Sequence, residues 1–172
     1  LAAGKGVVIA ENLEQANNSI NEIFSGKFGS AGNEIVIEEF LQGEEASFFV
    51  ISDGKSFIPL TSAQDHKRIG EGDKGLNTGG MGAYSPAPIM TKDLEKKTID
   101  KIIKPTIQAL NDYCTPFIGI LYAGLIIKDN EPKLIEYNVR FGDPECQVII
   151  PRLENDLICL LYTSPSPRDG SI

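Results

Sequence analysis

Apolar positions recur along this chain in two periods, and their order sets out a mixed α and β fold. Residues 6–10 (GVVIA) read as a short buried strand behind a glycine-rich loop. Asn12 followed three residues later by Gln15 predicts a capping-box helix start, with Leu13, Ala16, Ile20, Ile23 and Phe24 on the buried stripe. After a glycine-spaced loop, residues 34–40 (EIVIEEF) and 46–52 read as strands. Asp53-Gly54 makes a hairpin turn, and 56–60 is the returning strand.

Residues 64–85 hold six glycines and almost no apolar side chains, so they read as one long loop. Thr91 then caps a long helix with Ile99, Ile102, Ile103, Ile107 and Leu110 on one stripe, kinked at Pro105. Residues 117–128 and 133–138 form a hairpin across a turn at 129–132, and Pro144 opens a further short helix. The fold class expected from this order is α+β with mostly antiparallel sheets.

The chain's 172 residues suit one domain or two small subdomains. Sixteen basic against 24 acidic residues give a net charge of −8, which argues against nucleic-acid binding through a broad basic surface. No apolar run reaches membrane-spanning length. Cys114, Cys146 and Cys159 are odd in number and widely spaced, which suggests neither a disulfide framework nor a zinc site and fits a reducing cytoplasm. The start inside a Gly-Lys-Gly segment reads as that of a fragment. The proline- and serine-rich residues 162–172 read as a non-native tail that ends the helical stretch before them.

Four clusters carry candidate chemistry. Gly4-Lys5-Gly6 would let backbone approach phosphate oxygens beside a cation, although Gly6 stands where a Walker A loop needs Ser or Thr, and an ordinary turn reads equally well. The acidic pairs Glu38-Glu39 and Glu44-Glu45 bracket a short link through Leu41. They could surround a purine and ribose, though a solvated strand end is the simpler reading. The basic pair Lys67-Arg68 leads into Asn77-Thr78-Gly79-Gly80-Met81-Gly82. Its glycines expose successive N–H groups suited to an anion, and linkers seldom carry Met and Tyr among their glycines. His66 is the only histidine, which leaves His-metal ligation and a Ser-His-Asp triad without support. Strand alternation would place Glu136, Asn138 and Arg140 on one face, offering hard oxygens for magnesium and a guanidinium for phosphate. Glu and Arg two apart also occur on ordinary exposed faces.

In chain order, LAAGKGV (1–7), IVIEEFLQGEEASF (35–48), QDHKRIGEGDKGLNTGGMGAYSPAP (64–88), YAGLII (122–127) and IEYNVRFGDPECQ (135–147) resemble the ATP-grasp superfamily. Within it they resemble the phosphoribosylamine–glycine ligase family of purine biosynthesis. The resemblance covers nearly all of 1–161. It implies an ATP-grasp fold made of a partial nucleotide lid (1–40) and most of the central core (41–161), with 162–172 outside the family pattern. It further implies ATP and Mg2+ or Mn2+ as cofactors, and glycine and phosphoribosylamine as substrates joined through a glycyl phosphate. A cytoplasmic enzyme follows, with neither nucleic acid nor membrane as partner. The parent's N- and C-terminal domains are missing here, so turnover by this chain alone is not expected.

Residue by residue, the resemblance makes Glu136 and Asn138 the metal ligands and puts Lys5 near the ATP phosphates. Glu38, Glu39 and Leu41 lie along adenine, and Glu45 at the ribose hydroxyls. Arg140 and the loop residues Lys67, Arg68, Asn77, Thr78, Gly79, Gly80, Met81 and Gly82 meet substrate or phosphate. Two other functions stand beside this one: a non-catalytic ATP-binding module, and a different ATP-grasp carboxylate–amine ligase. The Gly-Gly-Met-Gly and Arg-Phe-Gly-Asp-Pro-Glu runs speak against the second.

Overall fold

A computed structural model describes residues 6–66, 68–70, 74–77 and 80–163. The chain divides into two units, Leu1–Leu41 and Gln42–Ile172.

In the first unit, α1 spans Leu13–Glu22. The expected clasp is present: Asn12 Oδ1 accepts from the Gln15 N–H at 2.9 Å, and Gln15 Oε1 accepts from the Glu11 N–H at 2.9 Å. A π-type turn, Ile23–Lys27, and a 3-10 turn, Gly29–Gly32, follow. The expected burial does not follow. Ala16, Ile20 and Ile23 are only half-buried, Leu13 is 82% exposed and Phe24 56%. The expected strands at 6–10 and 34–40 are irregular, with Val7, Val36 and Ile37 exposed. A strand is stable only when a neighbour takes its N–H and C=O groups, and the described residues of this unit supply none.

The second unit is built on a four-stranded antiparallel sheet, ordered β2-β1-β7-β8. Strand β1 is Glu44–Asp53 and β2 is Phe57–Pro59. Asp53 Oδ1 accepts from the N–H groups of Lys55 and Ser56 and so closes the turn between them. Strand β7 is Ile118–Lys128 and β8 is Glu131–Asn138. Asp129 and Asn130 both have positive φ (53° and 57°), the two-residue turn that matches strand twist.

Within 64–85, read as one loop, the described residues form two paired ladders instead. Gln64–Asp65 (β3) pairs with Ala83–Tyr84 (β6), and Arg68–Gly70 (β4) with Lys74–Asn77 (β5). Backbone pairing forms here with few apolar side chains, which is why hydrophobic periodicity gives no sign of it. The neck is pinned by Ser85 Oγ donating to Ser62 O at 2.7 Å and the Ala87 N–H donating to Ser62 Oγ at 3.2 Å.

Helix α2 (Lys92–Thr98) starts at Thr91, whose Oγ1 accepts from the Leu94 N–H. A π turn at Ile99–Ile103 then leads into α3, Lys104–Asp112. The turn lies just before Pro105, which has no N–H for the carbonyl four residues back. Leu94, Ile102, Ile103 and Ile107 pack against Phe48, Val50, Leu121, Ala123 and Leu125 on one sheet face. Helices α4 (Glu145–Ile149) and α5 (Leu157–Thr163) flank a 3-10 turn, Ile150–Arg152. Ile149, Leu157 and Leu160 cover Phe49, Ile51 and Ile120 on the opposite face. Helix α5 runs two residues past the point where the sequence expects a break, and residues 164–172 of the expected tail lie outside the described ones.

Candidate functional site

That second face also carries polar side chains. Three cross-strand rows hold them among apolar ones: Glu45–Ile126–Lys133, Ser47–Gly124–Glu136 and Phe49–Tyr122–Asn138. A β-bulge makes this set. Gly124 pairs with Glu136 while Leu125 pairs with Leu134, so Ile135 is an extra residue and the alternation shifts by one. Lys133 and Glu136, three apart in sequence, therefore occupy the same face. Plain alternation misses Lys133, and no sequence signal marks the bulge.

Glu136 and Asn138 follow the bulge and are brought together, with Asn138 Nδ2 donating to Glu136 Oε1 at 3.4 Å. Gly124 leaves room for them: a Cβ there would lie 3.3 Å from Glu136 Cγ. A carboxylate and a side-chain amide are hard-oxygen donors, suited to Mg2+ or Mn2+ once the amide turns its oxygen inward. Among the described residues no group of three or more His, Cys, Asp or Glu could hold a metal. Glu136 and Asn138 are thus a pair of hard-oxygen side chains standing together on this face.

Ser47 and Tyr122 of the same face bond to a charged residue for which the sequence suggests no role. Glu145, at the start of α4, is 3% exposed. Its Oε1 accepts from Tyr122 Oη at 2.8 Å and from Ser47 Oγ at 3.1 Å, and the two hydroxyls are 2.9 Å apart. Burial pushes the Tyr122 phenol well above its ordinary range; its bond with Ser47 opposes this, and the charges of Glu145 and Glu136 add to it. A Cβ on buried Gly142 would collide with Glu145 Oε2, so the turn after β8 closes directly over the carboxylate. The acidic residue opening a helix after Asp143-Pro144 is the one sequence feature that could have drawn notice.

Arg140 departs from its expected place. Strand β8 ends at Asn138, and exposed Arg140 folds back so that Nη1 donates to Phe141 O at 2.8 Å. The alternation that would align it with Glu136 and Asn138 needs a strand two residues longer.

The glycine-rich segment reaches the same region through Gly80, where a Cβ would lie 2.9 Å from Pro144 Cδ and 3.2 Å from either Asp65 carboxylate oxygen. Its positive φ of 141° and this double approach both call for glycine. Backbone bonds of His66 hold the next residues: Met81 N–H donates to His66 O at 2.8 Å, and His66 N–H to Gly82 O at 3.0 Å. The His66 ring lies 5.2 Å from Tyr84, whose Oη donates to Gln64 Oε1. Arg68 and Asn77 are paired register positions of β4 and β5. Lys5, Lys67, Thr78 and Gly79 lie outside the described residues. Glu38 and Glu39 are exposed and Leu41 half-buried in the first unit, while Glu45 is half-buried in the second. No described helix is long and apolar enough to cross a membrane.

Residues 1–146 match the family model described as phosphoribosylglycinamide synthetase, ATP-grasp (A) domain. The chain is 58% identical to a phosphoribosylamine–glycine ligase of Rhizobium meliloti, over 95% of this chain and 39% of that protein. It is also 58% identical to one of Vigna unguiculata, over 95% of this chain and 54% of that protein. Among solved structures it resembles the Thermotoga maritima phosphoribosylamine–glycine ligase, with a TM-score of 0.82 and 34% identity, over 95% of this chain and 42% of that one. The chain thus spans about 39% of the Rhizobium relative's length.

Proposed function

The chain belongs to the phosphoribosylglycinamide synthetase ATP-grasp (A) domain family, and we propose on that basis that it is the nucleotide- and metal-binding part of an ATP-dependent ligase. The reaction is the one its relatives are named for, the joining of glycine to phosphoribosylamine to form glycinamide ribonucleotide. The observation that carries this reading is that Glu136 and Asn138 stand side by side on one sheet face, beside a glycine that leaves them space.

In this reading Glu136 and Asn138 hold Mg2+ or Mn2+, which, when bound, neutralises charge on the ATP phosphates. Glu45 lies on the same face for the ribose hydroxyls. Glu38, Glu39 and Leu41 serve adenine, and Lys5 the phosphates. The Lys67–Arg68 pair, the sequence run Asn77 to Gly82 and Arg140 meet the transferring phosphoryl group or the substrate. The glycine carboxylate attacks the terminal phosphate of ATP, giving glycyl phosphate and ADP. The amine of phosphoribosylamine then displaces phosphate at the glycyl carbonyl. Both steps need positioning and charge neutralisation rather than a protein nucleophile. The length of the relatives supports further domains in the parent enzyme, and the odd number and wide spacing of the cysteines fit a cytoplasmic location.

The test is replacement of the matching segment of the Rhizobium meliloti ligase by this chain, in a host that lacks the enzyme and is grown without purines. Growth that is lost with Glu136→Gln is expected. A chimera that folds and binds Mg-ATP but never supports growth would overturn the assigned reaction and favour a nucleotide-binding module.

A further inference from the structure

Glu145 is the one charged residue in the buried set of the described chain, and nothing in the proposed chemistry uses it. Taking a carboxylate out of water is costly, and two hydroxyl donors only partly offset it, so an apolar residue would fill the same space more cheaply. Its contacts, however, link three segments around the Glu136–Asn138 pair. Through Ser47 and Tyr122 it is tied to the middle two strands, β1 and β7. Tyr122 pairs in register with Asn138, and Ser47 lies in one row with Gly124 and Glu136. Its Oε2 lies under Gly142, in the turn that carries Arg140. The neighbouring Pro144 abuts Gly80 of the glycine-rich segment.

We infer that Glu145, acting through Tyr122 and Ser47, is a positioning residue that fixes the orientation of the Glu136–Asn138 pair toward a divalent cation. The inference rests on the reading of that pair as metal ligands. Groups behind metal ligands set ligand orientation, and their loss commonly weakens metal binding by about 10- to 100-fold. Tyr122→Phe deletes one oxygen and keeps the ring that packs on Phe49 at 4.5 Å. Glu145→Gln keeps the shape and one acceptor while removing the charge.

The experiment measures Mn2+ binding to the whole 172-residue chain in the presence of ATP by electron paramagnetic resonance, with metal-free ATP binding by calorimetry alongside. Wild type, Tyr122→Phe, Glu145→Gln and Glu136→Gln are compared. Tyr122→Phe and Glu145→Gln should each weaken Mn2+ binding about tenfold and change the spectrum of the bound ion, while metal-free ATP binding stays within about twofold. Unchanged Mn2+ affinity and spectrum in both, with loss in Glu136→Gln, overturns the inference and leaves the metal pair standing. Equal loss with and without metal assigns Glu145 to folding alone and also overturns it. Should Glu145→Gln unfold, Tyr122→Phe decides by the same readouts. Wild type without Mn2+–ATP binding, or Glu136→Gln binding like wild type, removes the metal reading and the inference with it.

Discussion

Gly124 and Glu136 face each other across the β7–β8 ladder, with space for a Cβ on Gly124 only 3.3 Å from Glu136 Cγ. The exposed Glu136 side chain can yield by the few tenths of an ångström required. Gly124→Ala should therefore leave the fold intact, or stabilise it by up to about 1 kcal/mol through reduced chain entropy. The same change displaces the carboxylate. Calorimetry should find metal-dependent ATP binding weakened several-fold, with thermal unfolding unchanged or slightly raised.

Gly43 stands in a different position. A Cβ there would collide with the Ile127 carbonyl and meet Ile126 Cγ2 at 2.8 Å, and its φ of 154° disfavours other residues. Backbone cannot move aside as a surface side chain can. Gly43→Ala should cost about 2 kcal/mol or more in chemical denaturation.

The phenols of buried Tyr122 and half-buried Tyr137 should make stability fall in alkali. Burial raises Tyr122 far above 10.0, and also raises Tyr137, whose Oη lies 2.6 Å from Thr106 Oγ1. A folded value above the unfolded one means that the stabilisation is complete below 10.0 and is lost as pH climbs above it. Phenolate absorbance from these two residues should appear together with unfolding, and Tyr122→Phe should make stability fall less steeply in alkali.

Asp53 gives the opposite sign. Backbone N–H groups of Ser56 and Lys55 hold its carboxyl below 3.8, so its contribution is present above 3.8 and lost as pH falls through the folded value. Asp53→Asn should flatten the pH dependence of unfolding on the acid side without altering the alkaline limb.

Much of the second unit was legible because its cues are local. The Asp53-Gly54 turn, the Thr91 cap and the Ile102–Ile103–Ile107 stripe each depend on neighbours in sequence, and each forms as expected. The first unit was not legible beyond its helix. Val36 and Ile37 have strand-like pattern, but pattern cannot supply a pairing partner. Of the candidate site, the pairing of Glu136 with Asn138 was legible and the rest of the geometry was not. Glu136 and Asn138 come together, whereas Arg140 falls beyond the strand end. Lys133 joins the face only because of an extra residue at Ile135, and Glu145 matters through contacts 98 and 23 residues away in sequence. Such long-range pairings leave no periodic trace.

The most direct test of the central claim is thermal unfolding of this chain with ATP, with and without Mg2+, beside Glu136→Gln. Saturation at about 100 times the dissociation constant corresponds to about 2.7 kcal/mol of stabilisation, a clear rise in Tm. A rise that requires Mg2+ and disappears in Glu136→Gln is the predicted result. A cooperatively unfolding chain whose Tm is unmoved by Mg-ATP, or moved equally in Glu136→Gln, would contradict the assignment of this face as the metal–nucleotide site.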